Sequence, residues 1–158
     1  MLSAVGPEGT DGSPRGDRDP VVTVADPETL LLPDWQGNDR IETLRNIVRD
    51  GRVSLLFLIA GFTTAIRGNG TARVSAAPAL RGRFEREGRH PRTVMVIRVA
   101  EVYAQCPRAL QRSKLWVCGN QLAGLPTFGT MLEQATDGAI DGAAYDVERA
   151  TRAHPGWW

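Results

Sequence analysis

Apolar and polar positions alternate over short stretches along the first hundred residues, and the alternation is broken at regular intervals by glycine and proline. Met1 to Val5 is apolar. Gly6, Pro7, Gly9 and Gly12 then mark a tight turn, and Pro14 to Asp19 is a polar connection. Val21 to Ala25 and Thr29 to Leu32 are short β-rich runs, with Asp26-Pro27 as the turn between them. The period then changes. Ile41, Leu44, Ile47 and Val48 recur at helical spacing, Asp39 and Glu42 form a capping box at the start, and Gly51 ends the helix. Val53 to Ile59 is continuously apolar and predicts a strand buried on both faces. Thr64 to Ser75 is β-rich, with a Gly68-Asn69-Gly70 break suited to a bulge. Pro78 to Glu87 predicts an arginine-rich surface helix opening at a proline. Thr93 to Val102 reads as another buried strand and Pro107 to Ser113 as a short helix. Lys114 to Val117 reads as a last strand, and Phe128 to Gln134 and Ala144 to Arg152 as two further short helices. Six or seven closely spaced strands with a few inserted helices favour a mainly β, antiparallel barrel over a βαβ sheet.

Length and composition narrow this to one globular domain over residues 1–158, with about 118–158 as a C-terminal extension. The chain is 42% hydrophobic and 23% charged, ordinary for a globular protein. No apolar run approaches the ~18 residues of a membrane-spanning helix, and the polar, Gly/Pro-rich first twenty residues do not read as a signal peptide. Nineteen basic and eighteen acidic side chains leave a formal charge of +1, which does not point to nucleic acid or an anionic membrane. Two cysteines, Cys106 and Cys118, and two histidines match neither a disulfide framework nor a zinc signature, and a reducing, cytoplasmic setting is expected. Cys106 reads as a buried, inert thiol.

The basic residues carry more information than their sum. Lys114 is the only lysine; the other eighteen are arginine. An anion site in this chain must therefore use arginine forks, backbone N–H groups and small polar side chains, and a P-loop is excluded. Three segments offer such groups. Pro33-Asp34-Trp35-Gln36-Gly37-Asn38-Asp39-Arg40 joins a strand end to a helix N-terminus, where unpaired backbone donors and the positive dipole end favour phosphate. Asp39 is there as a structural cap. Ser13-Pro14-Arg15-Gly16-Asp17 places an arginine beside a proline. Tyr103 to Arg108, running on to Trp116, is dense in basic, aromatic and hydrogen-bonding side chains. The first two segments, taken alone, read more readily as an ordinary surface turn or loop. Gly68-Asn69-Gly70 lacks the last glycine of a dinucleotide fingerprint and lies between strands. No G-x-S-x-G elbow and no carboxylate–histidine pair stands out.

Taken in order, these segments resemble the pyridoxamine 5′-phosphate oxidase-like FMN-binding split barrels, in a branch of FMN-dependent enzymes of unknown substrate. The likeness runs over Ser13 to Asp17, Leu32 to Arg40, Leu44 to Ile47, Arg52 to Ile59, Arg67 with Gly70 to Arg73, and Val102 to Trp116, within roughly residues 1–145. It implies a six-stranded antiparallel split barrel that forms a homodimer, with FMN in two equivalent grooves between the subunits. Arg15, Asn38 and Arg40 would hold the phosphate, and the Pro33-Asp34 strand end would run along the isoalloxazine ring. Arg67 would reach the ring or ribityl chain. Gln105, Arg108, Ser113 and Trp116 would come from the same groove or from the partner subunit. The implied activity is an FMN-dependent oxidoreductase acting on a small molecule. A deazaflavin-dependent reductase and a non-catalytic flavin-binding protein are the alternatives. The phosphate-site lysine and the C-terminal Arg-Leu-x-Pro signature of the true oxidases are absent here, which argues against vitamin B6 oxidation. The relatives usually carry an extra helix ahead of the first strand, where Met1 stands at that strand.

Overall fold

A computed structural model describes residues 1–17, 20–35, 37 and 40–151. The chain divides into two compact units, Met1–Trp116 and Val117–Trp158. The first unit is built on one antiparallel sheet. In chain order its strands are β1 (Leu2–Gly6), β2 (Gly9–Ser13), β3 (Thr23–Asp26), β4 (Thr29–Asp34), β5 (Arg52–Phe57), β6 (Ala65–Ser75) and β7 (Thr93–Gln105). They pair in the order β2-β1-β5-β6-β7-β4-β3. No pairing joins β2 to β3 among the described residues, so the barrel stays split. The sheet has seven strands, one more than the resemblance implies. Gly9 takes a positive φ of 124°, folding residues 9–13 back onto β1.

The core collects where the strands are covered. Leu2, Ala4, Leu32, Val53, Leu55, Ala72, Met95 and Ile97 are buried together with Ile47. Ile47 comes from helix α1 (Glu42–Arg49), which packs on β1, β2 and β6. Its buried face differs from the predicted stripe. Thr43, Asn46 and Ile47 are buried, whereas Ile41 and Val48 are exposed. The reason lies in the β1–β2 hairpin beneath it. Thr43 Oγ1 donates to Asp11 Oδ2 at 2.6 Å, and Asn46 sits so close over Gly6 that a Cβ there would collide with its amide. The predicted capping box does not begin this helix. Ile41 occupies the N-cap position with no side-chain cap, and Asp39 lies outside the described residues.

Four further expectations need correction. Val53 to Ile59 is not buried throughout: β5 stops at Phe57, alternates in burial, and leaves Leu58 and Ile59 exposed in the following turn. Likewise β7 is buried only in its first half, because its last residues run past β4. The predicted helix from Pro78 ends early. Helix α2 (Pro78–Arg81) tightens into a 3₁₀ turn over Gly82–Phe84, and the chain then reverses at Glu87 and Gly88, both at positive φ. Arg86 and Arg89 exchange backbone hydrogen bonds across that reversal, closing a two-residue hairpin turn. Finally, Lys114 to Val117 forms no strand. Helix α3 (Arg108–Arg112) closes instead through bonds from Lys114 N to Gln111 O and Leu115 N to Leu110 O, with Lys114 left-handed.

The second unit is a helical hairpin of α4 (Phe128–Ala135) and α5 (Gly142–Thr151). Gly129 and Gly142 bring the two backbones into direct contact, and Asp146 accepts from Gly129 N at 2.9 Å.

Candidate functional site

β4 and β7 run antiparallel with Pro33 opposite Val94 and Asp34 opposite Thr93. This end of the pair receives the connection after β2, which brings Arg15 against Asp34. Arg15 Nη1 donates to Asp34 Oδ1 at 3.3 Å, with both side chains largely buried (23% and 15% exposed). The contact is long and single. Arg15 Nε is buried with no hydrogen-bond partner, and so are Thr93 Oγ1 and Trp35 Nε1. Buried polar groups in folded proteins are nearly always paired, so three orphans around one strand end are a departure that calls for a ligand or water. Burial pushes the Asp34 carboxyl above its ordinary range, against the opposing pull of Arg15 and Arg92.

A second ion pair closes the other side of the cluster. Arg86 Nη1 donates to Asp17 Oδ2 at 2.7 Å, with Asp17 almost wholly buried, and the same guanidinium lies 4.9 Å above the Trp35 ring. Arg86 stands on the 86–89 hairpin, so this hairpin is strapped to both the 13–17 connection and the end of β4. Arg92 N donates to Asp34 O at 3.0 Å just before β7 begins. Arg15, Arg86 and Arg92 thus face Asp17 and Asp34, an excess of one positive charge over these five side chains.

Of the residues expected from the sequence, Arg15, Pro33 and Asp34 meet at this site. Arg40 is exposed and immediately precedes the N-cap residue of α1. Asn38 lies outside the described residues. The remaining five lie elsewhere in the first unit. Arg67 pairs across the ladder with Tyr103, and its guanidinium lies 5.2 Å above that ring. Gln105 ends β7 opposite Ala65, and Arg108 opens α3. Ser113 Oγ donates to Leu110 O, and Trp116 Nε1 to Phe62 O at 2.9 Å. Tyr103 is ten residues along β7 from Thr93, roughly 33 Å at the ~3.3 Å rise of a strand. Across the sheet the path is shorter, since Arg67 pairs with Leu56, which exchanges backbone hydrogen bonds with Met1. Cys106, expected to be buried, is exposed, as is the last stretch of β7 that it follows.

The sequence reading did not select Trp35, Asp17, Arg86, Arg92 or Thr93. The first two stand inside segments that it did select. Arg86 is 69 residues from Asp17 and carries no local signal. A groove of about 470 Å³ lies at the opposite end of β4, between the end of α1 and Thr29, Thr71, Arg73 and Arg98. Its Arg49 and Arg98 are held by Glu8 and Glu28. No cluster of metal-ligating side chains occurs among the described residues, and no described helix is long and apolar enough to cross a membrane.

An open antiparallel sheet in this order, with helices at its ends, defines a split-barrel protein. Residues 1–106 match the pyridoxamine 5′-phosphate oxidase family, and the chain belongs to that family. Solved structures share the fold. HupZ of Group A Streptococcus superposes with a TM-score of 0.53 at 17% identity, over 66% of this chain and 82% of that one. A variant of HupZ gives 0.55 at 18% identity, over 66% and 87%. A candidate pyridoxamine 5′-phosphate oxidase from Lactobacillus delbrueckii gives 0.50 at 24% identity, over 65% and 80%. No curated protein matches the chain.

Proposed function

We propose that this chain is an FMN-dependent oxidoreductase of the pyridoxamine 5′-phosphate oxidase family, acting on a small molecule as a homodimer. The observation that carries the reading is the unpaired, buried Arg15 Nε beside Thr93 Oγ1 and Trp35 Nε1. These donors, with the cationic excess around them, suit the oxygen-rich phosphate and ribityl parts of a flavin mononucleotide. Arg15 and Arg40, with Asn38, hold the phosphate in this reading, and the Pro33-Asp34 strand end follows the ring. Arg67, Gln105, Arg108, Ser113 and Trp116 complete the groove in this reading, from the same chain or from the second subunit. A bound flavin supplies two-electron chemistry at its ring, and the protein supplies anchoring, orientation and exclusion of water. Neither cysteine is in a disulfide, which supports a reducing, cytoplasmic setting. The chain's single lysine follows α3 and stands far from the cluster in sequence, which speaks against pyridoxamine phosphate itself as the substrate.

The test is a visible absorption spectrum before and after adding FMN and desalting. Retained flavin bands with one FMN per chain are expected. A folded protein that retains no flavin would overturn the reading. Reduction of the bound flavin by a donor, followed by substrate-dependent reoxidation, separates an enzyme from a carrier.

A further inference from the structure

The contact between Arg15 and Asp34 is unusual in what it leaves undone. Arg15 can offer a planar fork to one anion, yet gives Asp34 only one N–H at 3.3 Å and keeps a buried Nε without an acceptor. Asp34 is itself largely buried, opposite a threonine hydroxyl that also lacks a partner. A phosphate monoester taking up the free side of Arg15 brings nearly two negative charges beside that carboxylate. With that phosphate the cluster holds about four negative charges against three guanidinium groups, an excess that a partly desolvated site disfavours. We propose that Asp34 is the proton-linked member of this site: an anionic ligand that binds at Arg15 does so with uptake of one proton by Asp34. The proton comes from solvent and rests on a carboxylate oxygen. There it turns Asp34 from a competitor for Arg15 into a donor toward the ligand or toward Thr93 Oγ1.

The surroundings favour Asp34 over its neighbours. Asp17, the other carboxylate of the cluster, is held by Arg86 at 2.7 Å, a much closer pairing. From the β7 side Asp34 faces Arg92 and Thr93, and from the connection after β2 it faces Arg15. Arg15 in turn faces the α-ammonium of Met1, whose pKa is lowered by burial and by that guanidinium. Burial already raises Asp34 without a ligand, and an added anion acts in the same direction.

The inference rests on the flavin reading above, and FMN is the probe. The ¹³Cγ resonance of Asp34 is titrated against pH without ligand and with saturating FMN, and proton uptake is measured by calorimetry in buffers of different ionisation heat. The Asp34 midpoint is expected to rise by at least one pH unit on binding, with proton uptake largest between the free and the bound midpoints. Asp34→Asn is expected to abolish that uptake and to bind FMN at least tenfold more tightly than the wild type at pH 8. FMN that binds without moving the Asp34 titration overturns this inference and leaves the flavin reading standing, as does an Asp34→Asn protein that binds FMN more weakly throughout. Failure of both proteins to retain FMN overturns the flavin reading, and this inference with it.

Discussion

Arg15 has more donors than it has acceptors, and that surplus makes it the most informative side chain in the first unit. If its fork and that of Arg40 hold the phosphate, the double change Arg15→Ala with Arg40→Ala should weaken FMN binding by tenfold or more, measured by quenching of flavin fluorescence. Hydrogen bonds to a charged group contribute about 1.5–3 kcal/mol each. Unchanged affinity would remove both residues from the site. Asp34 makes a separate prediction about the ligand-free protein. Its carboxyl is raised in the fold, so the folded state holds that proton more tightly than the unfolded chain does. The resulting stability is present below the ordinary carboxylate range and is lost as pH rises through the raised value. Melting wild type and Asp34→Asn from pH 4 to pH 8 should show the wild type losing ground to the variant as pH rises. Loss on the acid side instead would mean that Arg15 overrides burial. Arg15 and Asp34 were both legible as chemistry-bearing residues, but their contact was not, since nothing in a 19-residue separation encodes it. Arg86 was less legible still. Its pairing with Asp17 depends on a hairpin turn that its own sequence, Glu-Arg-Glu-Gly-Arg, masks as the tail of a helix.

At the scale of elements, glycine spacing predicted one of the irregularities that shape the sheet. The β6–β7 ladder shifts register between Asn69 and Gly70, within the break seen in the sequence. There Gly70 lies so close to β7 that a Cβ would collide with the Arg98 carbonyl oxygen. Gly68, two residues away, has room: its nearest neighbour would be the Glu101 carbonyl oxygen at 3.8 Å, an ordinary contact. Gly70→Ala should therefore cost about 3 kcal/mol, the upper end for forcing a group into packed structure, while Gly68→Ala stays near neutral. Urea unfolding of the two variants checks this, and equal midpoints would refute the close approach. Most strand positions were legible because alternation and turn residues are local signals, but the glycines of β2 were read as turn and Lys114 to Val117 as a strand that does not form. Burial was less so. The α1 stripe was misread because a helix over a hairpin buries Thr43 and Asn46, which hydrogen-bond and fill the space above Gly6. The apolar ends of β5 and β7 were misread because apolar character does not show whether anything covers it.

That uncovered apolar surface belongs to the scale of the whole molecule. Leu58, Ile59 and Phe62 follow β5, Val102 and Tyr103 lie late in β7, and Leu115 follows α3; all six are exposed. In the ladder Phe57 pairs with Ile66 and Ile66 with Ala104, so the β5–β6 turn and the end of β7 share one end of the sheet. It is the end that carries Arg67 and Gln105, whereas Asp34 pairs with Thr93 at the other end of β7. A two-fold dimer that covers this surface and sets Arg67 of one chain beside Arg15 of its partner does so twice over. The arrangement predicts complementation between defective chains. Arg15→Ala and Arg67→Ala homodimers should each bind FMN poorly. In a mixed dimer both changes fall in one groove, and the other groove is wild type throughout. Unfolding the two variants together and refolding them should restore about one quarter of all sites, because half of random dimers are mixed and each has one intact groove of two. Fluorescence titration counts those tight sites, and light scattering reports the dimer. Refolded mixtures that are dimeric yet regain no tight sites would place both arginines in grooves built from a single chain, reached across β1 and β5 through Met1 and Leu56.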